Sequence, residues 1–414
     1  MSELKYWVWL AEHMPVKNGA IAAVLAYFGS PEAVYFAREG DYEHIPELTA
    51  QQRASLADKS MAAVQRTLAV CAENGWRIMT LADADYPARL RNIFAPPPVL
   101  YIRGRLPVMD EEAAVAVVGT RTCTPYGLKM AEHIAYDVTR AGGLIVSGLA
   151  AGIDTAAARG ALRAGGRVVG VVGSGLDIVY PKFNRALFDD VAAVGAIVSE
   201  YAPGSEPLRG HFPERNRILS GLSVGVVVAE APEKSGALIT AARALEQGRD
   251  VYAVPGNADA ASCVGSNALL KEGAVPVTSG WDVVENYTAL FPEKLGRPMT
   301  AGVPLDAAGE ARLLRSALSA EAGNDPDRAI QLKKEIDKPK TVEYIDILVK
   351  SDTLTPEEAA VIAALGDAER HVDDVIEASG LAAAAVLSTL TLLQIRGWVV
   401  QTPGKRFRAR VKVK

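Results

Sequence analysis

Four short segments in the middle of this sequence mix glycine with hydroxyl and basic side chains, a composition suited to holding anions. They are Gly119-Thr120-Arg121, followed by Tyr126-Gly127; Ser147-Gly148-Leu149-Ala150-Ala151-Gly152, with Asp154 and Thr155 close behind; Gly173-Ser174-Gly175-Leu176-Asp177, running on to Tyr180-Pro181-Lys182-Phe183-Asn184; and Glu230-Ala231-Pro232-Glu233-Lys234-Ser235-Gly236. Glycine lets a backbone come close to a ligand, and a helix start aims free N–H groups and the positive end of its dipole at it. Arg121, Lys182, Arg215, Arg217 and Lys234 are the cations placed to join such a site. One loop of this kind reads equally well as a tight turn. Four of them predict an anion-binding groove.

The anion is narrowed by what is missing. A dinucleotide site wants G-x-G-x-x-G after its first strand and an acid after the second to bind ribose hydroxyls. The corresponding places hold Gly119-Thr120-Arg121 and Ser147-Gly148, and no G-x-x-x-x-G-K-[ST] phosphate loop is present. NAD and ATP are therefore disfavoured, and no cofactor is expected. Phe183, between Lys182 and Asn184, suits a ring on which a base stacks, a contact worth about 1–3 kcal/mol per base. It reads equally as packing beneath its own helix. In Phe212-Pro213-Glu214-Arg215-Asn216-Arg217-Ile218 two arginines flank an asparagine at a helix start; an ion pair with Glu214 or Glu230 is the structural alternative.

The elements that must position these loops are legible as seven apolar runs, at residues 114–118, 144–146, 168–172, 196–198, 224–229, 251–254 and 275–277. Helix-length, alanine-rich segments separate most of them. Buried strands alternating with helices predict an α/β fold, a doubly wound parallel sheet whose loops leave along one edge. Residues 1–80 show helical spacing, as in Ile21, Val24, Leu25 and Phe28. Residues 81–104, with Pro87 and Pro96-Pro97-Pro98, read as a stiff spacer. Residues 286–352, with scattered prolines and the charged run Lys333-Lys334-Glu335, read as a linker. From Thr355-Pro356 onward, three helices and two strands describe a winged helix. Its third helix, residues 382–396, is charged only at Arg396; Lys405, Arg406, Arg408, Arg410, Lys412 and Lys414 follow on the wing and tail. That distribution favours protein contact or backbone binding over sequence reading.

Net charge is −5, from 44 basic and 49 acidic residues, so phosphate attraction must be local. Cys71, Cys123 and Cys263 are far apart, which predicts neither a disulfide framework nor a metal site and suits a reducing cytoplasm. Residues 1–15 do not read as a signal peptide, and no apolar run approaches the ~18 residues of a membrane span. A soluble, cytoplasmic protein without a membrane partner is expected.

Taken in order, Val118-Gly119-Thr120-Arg121, the block from Ser147 through Gly152-Ile153-Asp154 to Gly160-Ala161-Leu162, Gly173-Ser174-Gly175-Leu176-Asp177 with Tyr180-Pro181, the Phe212–Ile218 word, Ser235-Gly236-Ala237-Leu238-Ile239-Thr240-Ala241 and Pro255-Gly256 resemble the DNA-processing protein A (DprA, or Smf) family. The resemblance implies an extended Rossmann-like sheet domain, here 81–285, between a helical domain at 1–80 like sterile-alpha-motif or helix-hairpin-helix folds and a winged helix at 353–414. It implies a non-catalytic protein that binds and protects single-stranded DNA in natural transformation, loads the RecA recombinase, and forms a homodimer. By carry-over it points first to Arg121, with Lys182–Asn184 and Gly173–Gly175 beside it; together with the loop reading above, the candidate DNA-contact residues are Gly119, Thr120, Arg121, Ser147, Gly148, Gly173, Ser174, Gly175, Lys182, Phe183, Asn184, Arg215, Asn216, Arg217, Lys234, Ser235 and Gly236. The main alternative is an enzyme resembling nucleotide phosphoribohydrolases, whose P-G-G-x-G-T-x-x-E word ends on a working glutamate; residues 234–241 offer no carboxylate there. Asp154, Asp177 and Glu230 are the acids left to such a reading. A ligand-sensing transcription factor is a third possibility, opposed by the uncharged third helix.

Overall fold

A strand whose side chains are apolar on both faces is satisfied only inside a covered sheet, and this requirement shapes most of the chain. The computed structural model describes residues 3–14, 19–296, 347–349, 355–366, 369–395, 399–402, 406–409 and 411–413. The chain divides into two compact units, Met1–Ala329 and Ile330–Lys414.

The first unit is built on a nine-stranded sheet in the order β1-β2-β6-β5-β4-β3-β7-β8-β9. The strands are β1 (Arg77–Thr80), β2 (Val99–Gly104), β3 (Ala114–Gly119), β4 (Leu144–Ser147), β5 (Val168–Val171), β6 (Ala196–Ser199), β7 (Gly225–Glu230), β8 (Asp250–Ala253) and β9 (Val275–Pro276). From β6 to β9 every pairing is parallel, and all seven expected runs take part. In β3, Val115 and Val117 enter one core, while Ala114, Ala116 and Val118 enter the other. The first core is closed by α7 (Pro125–Arg140), α8 (Ile153–Arg163) and α9 (Arg185–Val194); the second by α10 (His211–Gly221) and α11 (Gly236–Glu246).

Two expectations are corrected here. The stretch 81–104, expected as a spacer, contains β2, and the expected helical segment ends in β1. Val99, Leu100, Tyr101 and Ile102 are fully buried, and β2 pairs antiparallel with both β1 and β6. The proline triplet halts just before this apolar run, so the prolines do not interrupt its ladder. The expected linker, 286–352, lies mostly outside the described residues. Its first part belongs to the sheet unit: Tyr287 and Leu295 are buried, Tyr287 donates to the Asp250 carboxylate at 2.6 Å, and Gly296 N donates to Ala141 O at 3.0 Å.

The helices preceding the sheet are α1 (Leu4–His13), α2 (Ala20–Phe28), α3 (Pro31–Phe36), α4 (Ala50–Ala57) and α5 (Ala62–Glu73), packed around Trp9, Leu10, Val24, Tyr42 and Leu56, and the short α6 (Ala88–Arg91) lies between β1 and β2 in sequence. Ser30 caps α3, accepting from Ala33 N, with Pro31 in the first turn. Trp7 and Cys71 reach from these helices into the sheet's first core.

The second unit is the winged helix that the sequence suggests. Its helices are Pro356–Leu365, Val372–Ser379 and Ala383–Ile395, and strands Val399–Thr402 and Arg406–Ala409 pair antiparallel. Val361, Leu365, Val375, Leu390, Leu393 and Phe407 form its core. Ile347–Val349, within the range expected as linker, pairs parallel with Val411–Val413. Of the basic tail, Lys405, Arg410 and Lys414 lie outside the described residues. Among the described residues no helix is long and apolar enough to cross a membrane.

The turn after α7 gives a test of the packing. Gly142 has φ of 95°, and a Cβ there would lie 1.9 Å from Lys294 O. Gly142→Ala is expected to cost about 2–4 kcal/mol in urea unfolding, from left-handed backbone strain plus overpacking. A loss within about 0.5 kcal/mol would mean that the segment around Lys294 does not pack there.

Candidate nucleic-acid interface

Strands β3 and β7 are neighbours, yet the chain leaves them toward opposite sides of the sheet, β3 toward β4 and β7 toward β8. Loops diverge at such a point and open a crevice at the C-terminal ends of the strands. A cleft of about 590 Å³ lies there. Gly119, Thr120 and Arg121 line it from the β3 loop; Arg215 and Asn216 from α10; Lys234, Ser235 and Gly236 from the β7 loop.

Hydrogen bonds tie these loops to one another. Thr120 N donates to Glu230 O at 2.8 Å, and Ile153 N donates to Thr120 O at 3.3 Å, joining the first, fourth and second loops. Asn216 Nδ2 donates to Gly236 O at 3.2 Å, fixing α10 against the start of α11, where the Ser235 hydroxyl accepts from Ala237 N. Arg121 is exposed and lies over the Phe212 ring, 4.7 Å from its centre, while Tyr180 approaches the same ring at 5.6 Å. An arginine held on an aromatic face keeps its N–H edge free for an anion.

The floor is built from charge. Arg215 is buried and lines the cleft; its Nη1 donates to Val171 O at 2.8 Å, and its Nε has no protein partner. Asp154 lies beneath, accepting from the Gly148 and Ala150 amides. Burial raises the Asp154 carboxyl, with Arg215 opposing, and burial pulls Arg215 down to about 10. A Cβ on Gly148 would lie 2.0 Å from Arg215 Nη1 and 2.5 Å from Asp154 Oδ2, so only glycine admits both groups.

The other expected residues are placed elsewhere. Ser147, Ser174 and Asn184 are buried in supporting hydrogen bonds: Ser147 donates to Asp154 O, Ser174 to Ile178 O, and Asn184 to Leu149 O and Thr155 Oγ1. The bonds to Leu149 and Thr155 brace a loop in which Leu149 has φ of 51°. Gly173 O accepts from His211 Nδ1–H, and Gly175 N donates to Ser205 O; neither glycine lines the cleft. Lys182 and Phe183 are exposed outside the cleft lining, Phe183 at 71%, so its ring is not packed beneath its own helix. Arg217, expected beside Arg215, is turned away and buried in an ion pair with Glu200. Two residues along a helix is about 200° of rotation, so both arginines cannot face one groove. Tyr180, Arg209 and Phe212 line the cleft without being expected there.

The three acids open to a catalytic reading are engaged. Glu230 is buried and accepts from Thr124 N and Oγ1, anchoring the start of α7; the Asp177 carboxylate accepts from Gly204 N; Asp154 serves the floor. Among the described residues no cluster suited to a metal ion occurs.

Residues 77–288 match the family described as DNA recombination-mediator protein A, and residues 349–405 match the DprA winged helix domain. The chain is 37% identical to the Smf protein of Synechocystis sp. over 341 residues, covering 81% of this chain and 80% of that one. It is 45% identical to the DNA processing protein DprA of Streptococcus pneumoniae over 208 residues, 50% of this chain and 73% of the relative. The X-ray structure of that S. pneumoniae protein superposes with a TM-score of 0.60 at 37% identity, covering 68% of this chain and 97% of that one.

Asp154→Asn is expected to lower unfolding free energy by about 3 kcal/mol or more, because it leaves a buried guanidinium without its opposing charge. A stability equal to the parent's would show that Arg215 is held without Asp154.

Proposed function

This chain belongs to the DNA recombination-mediator protein A (DprA/Smf) family, and on that premise we propose that it binds single-stranded DNA in the switch-point cleft without altering it. The observation that carries this reading is the cleft's composition. Arg121, Arg209, Arg215 and Lys234 line it together with the glycine, hydroxyl and amide groups of its loops and the rings of Tyr180 and Phe212. Cations and backbone amides suit phosphates, and aromatic faces suit bases of any sequence.

Lys182 and Phe183, exposed and close in sequence to the cleft-lining Tyr180, are read as further contacts of the strand. Ser147, Gly148, Ser174 and Asn184 act in this reading as supports of the loops, and Arg217 as a structural ion pair. The absence of catalysis belongs to the same proposal, supported by the occupation of Asp154, Asp177 and Glu230 in structural bonds and by Ala241 standing where the phosphoribohydrolase word carries its glutamate. Free base released from nucleoside monophosphates would overturn that part.

Loading of RecA, a cytoplasmic setting and a homodimer complete the proposal. The last is supported by the position of β9 at the edge of the sheet, where Val275 is exposed. The helical and winged-helix parts are read as flanking modules around the sheet.

Arg121→Ala is expected to weaken the binding of single-stranded oligonucleotides of all sequences and to flatten its salt dependence by about one phosphate's worth. Fluorescence anisotropy at several salt concentrations measures both. An unchanged affinity and slope would remove Arg121 from the interface.

A further inference from the structure

Phe212, in the first turn of α10, lines the cleft with a ring that its neighbours hold in place. Gly173 lies against it: a Cβ there would stand 3.4 Å from Phe212 Cδ1 and 3.5 Å from His211 Cβ. His211 donates from Nδ1 to Gly173 O at 3.1 Å and stacks on Tyr201, with ring centres 4.0 Å apart. Tyr180 adds a tilted ring contact at 5.6 Å. The start of α10 is braced by these contacts, and the ring cannot turn away without breaking them.

The remaining neighbour is of another kind. Arg121 reaches over the ring from the loop after β3, its Cζ 4.7 Å from the ring centre. It is exposed and makes no ion pair among the described residues. The buried Arg215 is close enough to feel its charge as a repulsion. An exposed guanidinium is held only weakly by a ring, whereas a phosphate binds it through charge-assisted hydrogen bonds. A nucleobase stacks on a ring more strongly than such a cation does. The two parts of a nucleotide thus compete for the two members of this pair.

We propose that Arg121 is a displaceable cover on a base platform: a base takes the Phe212 ring, and Arg121 passes from the ring to a phosphate of the same strand. This rests on the reading that the cleft binds single-stranded DNA, and it adds what the cleft selects. A polyanion without bases gains the phosphate contact but nothing in place of the ring contact it breaks. A strand with bases gains both. Phe212 is then the residue that makes the cleft prefer a nucleic acid over any other chain of phosphates, without preference for sequence.

The test on the full chain starts with photocrosslinking of an oligothymidine carrying 5-iodouracil, read by mass spectrometry; it needs no variant. Phe212 is expected among the attachment sites. Fluorescence anisotropy then compares oligothymidine with an abasic strand of equal length. The parent is expected to prefer the thymidine strand by about tenfold or more. Phe212→Leu, which keeps an apolar side chain beside Gly173, is expected to cut that preference about fivefold. Arg121 and Phe212 hold each other only in the free protein. The Arg121→Ala, Phe212→Leu double variant is therefore expected to lose about two- to fivefold more affinity than the product of the single losses. Crosslinking that spares Phe212, a preference unmoved by Phe212→Leu, or single losses that simply multiply would overturn the exchange while leaving the cleft as the strand's site. Failure of the parent to bind either strand would remove the exchange together with the reading beneath it.

Discussion

The first unit's functional edge depends on one buried charge arrangement: Arg215 and Asp154 packed together against Gly148. Neither group is tolerable alone in so dry a place. Asp154 gathers the amides of Gly148 and Ala150, and Arg215 reaches the end of β5 at Val171 O. The loop after β4, the end of β5 and the start of α10 are therefore registered by electrostatics as well as by chain connectivity. A second buried acid, Glu230, does the same for the loops after β3 and β7. With the acids consumed in this way, the cleft above them presents mainly donors. Most polar residues beneath the surface make the loops rigid, and a few at the surface are left for a ligand.

The sheet topology explains why this happens at one place. Reversal of the winding direction between the parallel strands β3 and β7 leaves a gap that helices do not cover. Helix α10 forms one wall and brings Phe212, Arg215 and Asn216 to the cleft. Gathering cations at a single gap gives an acidic protein a local cationic site.

Much of this was legible in the sequence. The seven parallel strands could be read because each is an unbroken apolar run, and the loops because glycine and hydroxyl residues cluster where those runs end. Strand β2 was hidden by the prolines just before it, although Val99-Leu100-Tyr101-Ile102 is as apolar as any central strand, and β1 is only four residues long at the end of a segment with helical spacing. The separation of Arg215 from Arg217 follows from helical rotation alone and was available to a stricter reading of periodicity. The placement of Arg121 on Phe212 was not, since it joins residues far apart in sequence. Nor was the partner of Arg217, because Glu200 sits in a loop with no regular pattern. Ser147 and Asn184 have side chains suited to a ligand, and only their burial shows them bonding to their own loops.

The most direct measurement is a crystal structure of the full chain with a short oligothymidine. The account predicts successive phosphates lying between the Gly119–Arg121 and Lys234–Gly236 loops, with Arg121 and Arg215 within hydrogen-bond distance and the strand intact. A strand bound elsewhere with this cleft empty, or a nucleotide broken down within it, would contradict the account.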